Sequence, residues 1–265
     1  MKTEFVTSKD NTKIAFDKLG DGPAVILVGG AMTTRSDNSA LAQLLSPHLT
    51  VYNYDRRGRG DSGDTKPFAV EREIEDIEAL IDDAGGTAYV YGISSGACLA
   101  LEAAASLGDK IKKLALYEAP YDEAEDASSE WKTYRSNVEE SVAENRLSDA
   151  VVLFMKLVGM PDEMITGMQS SPMWPDMEAI APTLPYDAAA MGNDRSVPIE
   201  QAARVKAKAL VMDGGASLQV MPFMQPTANK LAKAIPNSQR ITIEGQGHDI
   251  SPEILAPVLV KFFSE

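Results

Sequence analysis

Three observations predict an α/β fold in which a mostly parallel sheet is covered by helices on both faces. Ala24 to Val28 reads AVILV and stops at Gly29-Gly30, a continuous apolar run of the kind a strand buried on both faces requires. Strand-like and helix-like segments then alternate along the chain, the order that builds crossover units. One long stretch, from about Tyr121 to Pro198, breaks that rhythm without offering a strand, and reads as a helical insertion between two strands of the same sheet.

Taken in order, Phe5-Val6 and Lys13 to Leu19 predict short strands, closed by the turn Asp21-Gly22-Pro23. Ala24 to Val28 is the first fully buried strand. Thr50 to Tyr54, Ala88 to Tyr91 and Lys113 to Tyr117 follow, and Ala209 to Met212 and Arg240 to Ile243 come much later. Helical spacing lies between them at Ser39 to Leu45, Val70 to Asp83, Ser95 to Leu107 and Pro252 to Phe263. The insertion opens with an acidic run, Asp122 to Glu130, and is punctuated by prolines from Pro161 to Pro198. Val138 to Val158 carries helical spacing inside it. The expected division is a core of residues 1–120 and 198–265 with a helical cap at 121–197.

Composition limits the function. The 265 residues carry 25 Lys and Arg against 39 Asp and Glu, a net charge of −14. That balance argues against nucleic acid, whose phosphates are met by Lys and Arg, and against an anionic membrane surface. No apolar run reaches the roughly 20 residues that span a bilayer. The N-terminal Met1-Lys2-Thr3-Glu4-Phe5 meets polarity too soon for a signal peptide, and the single cysteine, Cys98, allows no internal disulfide. The expectation is a cytoplasmic protein, monomer or homodimer, whose partner is a small neutral or apolar molecule.

Gly92-Ile93-Ser94-Ser95-Gly96 carries the chemistry. It stands where the strand ending at Tyr91 turns into an Ala-rich helix, the setting of a nucleophile elbow. Small residues are needed at Gly92 and Gly96 because the turn brings backbone close to backbone. The middle serine, Ser94, is lifted out at the carboxyl end of the strand, where the helix N-terminus favours developing negative charge.

At this point the chain resembles the α/β-hydrolase superfamily over nearly all its length. Val28-Gly29-Gly30-Ala31 matches the loop after the third strand, although the family's usual His-Gly is Gly-Gly here. Asp55-Arg56-Arg57-Gly58-Arg59-Gly60-Asp61-Ser62 resembles the family's D-x-R-G-x-G-x-S loop, and Gly245-Gln246-Gly247-His248 resembles the loop bearing its catalytic histidine. The resemblance implies Ser94 as nucleophile, His248 as general base, and the Ala31 and Ser95 backbone amides as oxyanion hole, with no cofactor and no metal. The residues add weight to His248, since the chain has 2 histidines and His48 lies in an ordinary loop before a strand. Arg56, Arg57 and Arg59 read as bridges between core loops rather than as an anion site.

The acid departs from the family pattern. Its usual place in a G-x-x-D loop is held by Ser217, in Asp213-Gly214-Gly215-Ala216-Ser217. Three readings stay open: Glu118, ending the strand after the nucleophile helix and put first; Asp213 as second choice; or no acid at all. The resemblance implies a serine hydrolase, a carboxylic ester hydrolase cleaving small apolar esters or lactones through an acyl-enzyme, the Met-rich second half suiting an adaptable apolar pocket. The alternatives are cofactor-free perhydrolase or haloperoxidase-like chemistry, and a slow-turnover ligand-binding or signalling protein.

Overall fold

A computed structural model describes residues 2–265. Its centre is one eight-stranded sheet. The strands are β1 (Glu4–Thr7), β2 (Lys13–Leu19), β3 (Ala24–Val28), β4 (Thr50–Tyr54), β5 (Ala88–Ile93), β6 (Ile111–Tyr117), β7 (Lys208–Gly214) and β8 (Ser238–Ile243), in the order β1-β2-β4-β3-β5-β6-β7-β8. β2 pairs antiparallel with the edge strand β1 and with β4, and β3 through β8 pair in parallel. This is the expected fold class. The apolar runs predicted as strands lie in the middle, where both faces are covered: Val25, Ile26, Leu27 and Val28 are all fully buried.

Helices α1 (Ser39–Leu45), α2 (Val70–Asp83) and α3 (Ser95–Leu107) stand where helical spacing predicted them. Between β6 and β7 the chain forms α4 (Ala127–Ala143), α5 (Leu147–Leu157), α6 (Asp162–Gln169), α7 (Trp174–Ile180), α8 (Leu184–Ala190) and α9 (Ile199–Arg204), with no strand among the described residues. Helix α10 (Met224–Ala234) and α11 (Pro252–Ser264) complete the chain. Two apolar clusters result. One packs α1 and α11 on one face of the sheet, and the other packs α2, α3, α10 and the inserted helices on the opposite face. No helix among the described residues is long and apolar enough to cross a membrane.

Two local readings are corrected. The helical spacing seen from Val138 to Val158 is split into α4 and α5 by a turn in which Asn145 takes φ +57°. Asparagine tolerates that left-handed conformation because its short amide bonds locally, so the apolar period survives across a break that it cannot reveal. The strand read as Ala209 to Met212 runs on through Gly214, which takes Asp213 out of the following loop and pairs it in register with Thr242 of β8.

Candidate active site

The parallel strands end together on one side of the sheet, and the loops after β3, β5, β6, β7 and β8 gather there. Ser94 sits between β5 and α3 with φ +56° and ψ −132°, a backbone state that costs a non-glycine residue roughly 1–3 kcal/mol and persists only where the surroundings impose it. The Ser94 N–H donates to the Tyr117 carbonyl at 3.0 Å, tying the turn to β6. A Cβ on Gly92 would stand 2.4 Å from the Gly96 carbonyl oxygen, and one on Gly96 would stand 2.4 Å from both the Val28 and Gly29 carbonyl oxygens. These glycines are required for space, since the obstructing atoms are backbone and cannot step aside.

Glu118 follows β6 directly, is buried, and takes φ +47°. Its Oε2 lies 2.7 Å from His248 Nδ1, and its Oε1 accepts the Gly214 N–H at 2.8 Å. Burial alone would raise this carboxyl. The hydrogen bonds with His248 and Gly214, with the Ser217 hydroxyl close by, outweigh burial and hold it below the ordinary carboxylate value. With Nδ1 facing a carboxylate, the imidazole keeps its proton on Nδ1 and leaves Nε2 as the basic nitrogen. Ser94 Oγ makes no hydrogen bond among the described residues, an openness common in ligand-free sites whose bonds tighten around substrate.

Asp213 is placed differently from Glu118. Its Oδ1 accepts Thr242 Oγ1 at 2.7 Å and pairs with Arg240 Nη2 at 2.7 Å, which ties it to β8, while its Oδ2 is buried with no hydrogen-bond partner among the described residues. Ser217, at the position where the family pattern expects an acid, is buried and its hydroxyl has no hydrogen-bond partner among the described residues. His48 is exposed. Cys98 is buried one turn into α3, and burial pushes its thiol up to about 12, far from the thiolate form that a reactive cysteine needs.

The arginine loop is built inward. Arg57 is fully buried and grips Asp76 with two bonds of 2.8 and 2.7 Å, and Asp10 at 2.9 Å. Arg56 holds Glu73 of α2 with bonds of 2.7 and 2.8 Å. Arg56 and Arg59 both reach Asp187 of α8, at 2.6 and 2.7 Å. The loop therefore bridges neighbouring elements, as the sequence suggested. Asp187 is the residue that no motif announced. The available signal was a single carboxylate in the otherwise apolar run Leu184 to Met191, together with three loop arginines in need of buried partners.

Ala31 follows Gly30 in the loop after β3, and Ser95 follows Ser94 as the first residue of α3. A Cβ on Gly30 would stand 3.0 Å from Ser94 Cβ and 3.6 Å from Ser94 Oγ, so the chain preceding Ala31 passes directly against the serine. Neither the Ala31 N–H nor the Ser95 N–H finds an acceptor among the described residues, and Ser95 heads α3, whose dipole favours negative charge there. No cluster of side chains that would hold a metal ion occurs among the described residues.

Residues 25–257 match the model of the alpha/beta hydrolase family. An alpha/beta hydrolase from Sphaerobacter thermophilus is 49% identical, with 98% of this chain and 100% of that one covered at a TM-score of 0.87. An enol-lactonase from Burkholderia xenovorans has 22% identity and a TM-score of 0.72, over 99% of this chain and 100% of that one. A thermophilic esterase from Thermogutta terrifontis has 21% identity and a TM-score of 0.75, over 100% and 98%. At such identities the last two speak for a common fold.

Proposed function

The chain belongs to the alpha/beta hydrolase family, and from that premise we propose that it hydrolyses small carboxylic esters or lactones through an acyl-enzyme on Ser94. The observation that carries this reading is the 2.7 Å approach of Glu118 Oε2 to His248 Nδ1, in loops at the same end of the sheet as the serine held in a strained turn. In the proposed reaction Ser94 Oγ attacks the ester carbonyl while His248 Nε2 takes its proton, and the carbonyl electron pair moves onto oxygen. The Ala31 and Ser95 amides hold that oxyanion, each donor contributing about 3 kcal/mol to the transition state. Collapse breaks the bond to the alcohol oxygen, which leaves with the proton from His248. A water then repeats the sequence on the acyl-enzyme and releases the acid. Glu118 stays ionised and stabilises the imidazolium. The helices between β6 and β7 serve as a cap, and small neutral or apolar acyl groups are the proposed substrates. The fold-level likeness to an enol-lactonase and an esterase is compatible with this class without selecting a substrate.

The test is covalent labelling. A fluorophosphonate probe is expected to modify Ser94, and Ser94→Ala to abolish both labelling and cleavage of p-nitrophenyl esters. Full labelling of the alanine variant, or labelling of Ser95 alone, would overturn the assignment of the nucleophile.

A further inference from the structure

The two amides assigned to the oxyanion belong to the loop after β3 and to the first turn of α3, and the Ser95 hydroxyl and, through Arg59, the Gly30 carbonyl are held by a single carboxylate from the inserted helices. Asp187 of α8 is 2% exposed. Its Oδ1 accepts the Ser95 hydroxyl at 2.7 Å and Arg56 Nη1 at 2.6 Å, and its Oδ2 accepts Arg59 Nη2 at 2.7 Å. Arg59 Nη1 in turn donates to the Gly30 carbonyl at 2.6 Å, and Arg56 Nη1 reaches the Gly29 carbonyl at 3.3 Å. In a trans peptide the C=O of one residue and the N–H of the next point in opposite directions. The Gly30 carbonyl, which also accepts Thr33 Oγ1 at 2.9 Å, is held on Arg59 by the shorter bond, and this sets the direction of the Ala31 N–H on the side away from the guanidinium. Fixing the Ser95 side chain on the same carboxylate restrains the other donor residue.

We propose that Asp187 is a positioning residue that sets both oxyanion amides at once, so that acylation of Ser94 depends on how the inserted helices sit on the core. The inference rests on the acyl-enzyme reading above. A clamp that only fastened the insertion to the sheet would need Asp187, Arg56 and Arg59 alone. Here the same groups also reach a carbonyl of the Gly30–Ala31 peptide and the hydroxyl of Ser95, the residues that carry the two donors. Two guanidiniums face two carboxylates, Glu73 and Asp187, so the buried cluster is charge-balanced, and Arg59 is further held by Thr183 through Nε at 3.1 Å. Burial disfavours the Asp187 anion, but Arg59, Arg56 and the Ser95 hydroxyl more than offset it and keep the carboxyl below its ordinary value.

The experiment compares wild type, Asp187→Asn and Ser95→Ala in single-turnover acylation by p-nitrophenyl butyrate, with KM, thermal stability and the affinity of an alkyl trifluoromethyl ketone. That ketone forms a tetrahedral adduct with the serine, so its affinity reads the oxyanion amides. Asp187→Asn is expected to slow acylation by about 10²-fold, and to weaken the ketone by a similar factor, the scale of losing one oxyanion donor. KM should stay within about threefold, because the interaction is made in the transition state. Ser95→Ala keeps all four buried charges, so it tests the proposal should Asp187→Asn fail to fold, and its expected loss is about tenfold in both readouts. A folded variant that melts earlier yet acylates and binds the ketone within about twofold of wild type overturns the proposal, as does a loss carried wholly by KM. Absence of any acyl-enzyme on Ser94 in wild type removes the hydrolase reading and this inference together. Normal wild-type acylation with unaffected variants removes this inference alone.

Discussion

Glu118 is the residue on which the proposed chemistry turns, and its setting makes measurable demands. The side chain is buried against His248 and the Gly214 N–H, at a left-handed backbone position that a neighbouring structure must enforce. Glu118→Gln preserves shape and removes charge, and kcat should fall by about 10³ to 10⁴ while the fold survives. Asp213→Asn should cost about tenfold or less, because that carboxylate is engaged with Thr242 and Arg240 rather than with His248. Ser217→Ala, which removes an unpartnered hydroxyl, should change kcat by about threefold at most. Steady-state kinetics of the three variants decide among them, and a large loss in the Asp213 variant beside an unaffected Glu118 variant would move the acid to β7.

The same carboxyl predicts a pH effect on stability. Its value in the folded protein is held below the ordinary 4.5, so the unfolded chain binds the proton more readily. The stabilisation is therefore fully present above about pH 4.5 and is lost as pH falls through the depressed folded value. Thermal melts of wild type should drop more steeply below about pH 4.5 than those of Glu118→Gln, and parallel curves would show that the group contributes nothing to this slope.

Among the elements, the tightest constraints lie where loops and helices touch strand ends. Gly96→Ala drives a methyl into the carbonyls of Val28 and Gly29, so β3, β5 and α3 must separate. Its expected result is loss of esterase activity together with severe destabilisation, read by denaturant unfolding. Arg57 fastens α2 to the loop after β4 through Asp76, which is itself buried. Arg57→Ala leaves that carboxylate uncompensated, and a loss of about 3–5 kcal/mol in unfolding free energy is expected. Activity per folded molecule should be nearly unchanged, because Arg57 touches neither Gly29, Gly30 nor Ser95. A variant as stable as wild type but unable to act would instead make Arg57 an anion-binding residue.

Over the whole molecule, charge and the inserted helices bear on substrate choice. Met155 and Met191 are buried within the insertion and Met160, Met168 and Met177 pack against its apolar cluster, whereas Met164 and Met173 are exposed. Most of these methionines thus serve packing, and a bias toward apolar acyl groups is proposed for the insertion as a body. The net charge of −14 adds a long-range repulsion for anions, screened over about 10 Å at 0.1 M salt. Among p-nitrophenyl esters, butyrate should be hydrolysed with higher kcat/KM than hemiglutarate, and the gap should narrow as salt is added. Hemiglutarate as the better substrate at low salt would contradict the proposal.

Much of this protein was legible along the chain because its signals are local. The AVILV run, the strand-turn-helix glycine pattern around Ser94 and the loop carrying His248 each depend on residues a few positions apart, and the parallel sheet follows from their alternation. Other features were decided by partners distant in sequence. Asp213 reads as a loop acid until pairing of β7 with β8 extends the strand through it and presents Thr242 and Arg240. The break at Asn145 leaves apolar periodicity intact on both sides. Glu118 meets His248 across 130 positions and Asp187 meets Arg56 across 131, distances that no spacing rule spans. Backbone preference and hydrophobic period are properties of neighbours, whereas which buried charge finds which partner depends on strand order and on the low-dielectric interior that makes an unpaired choice costly.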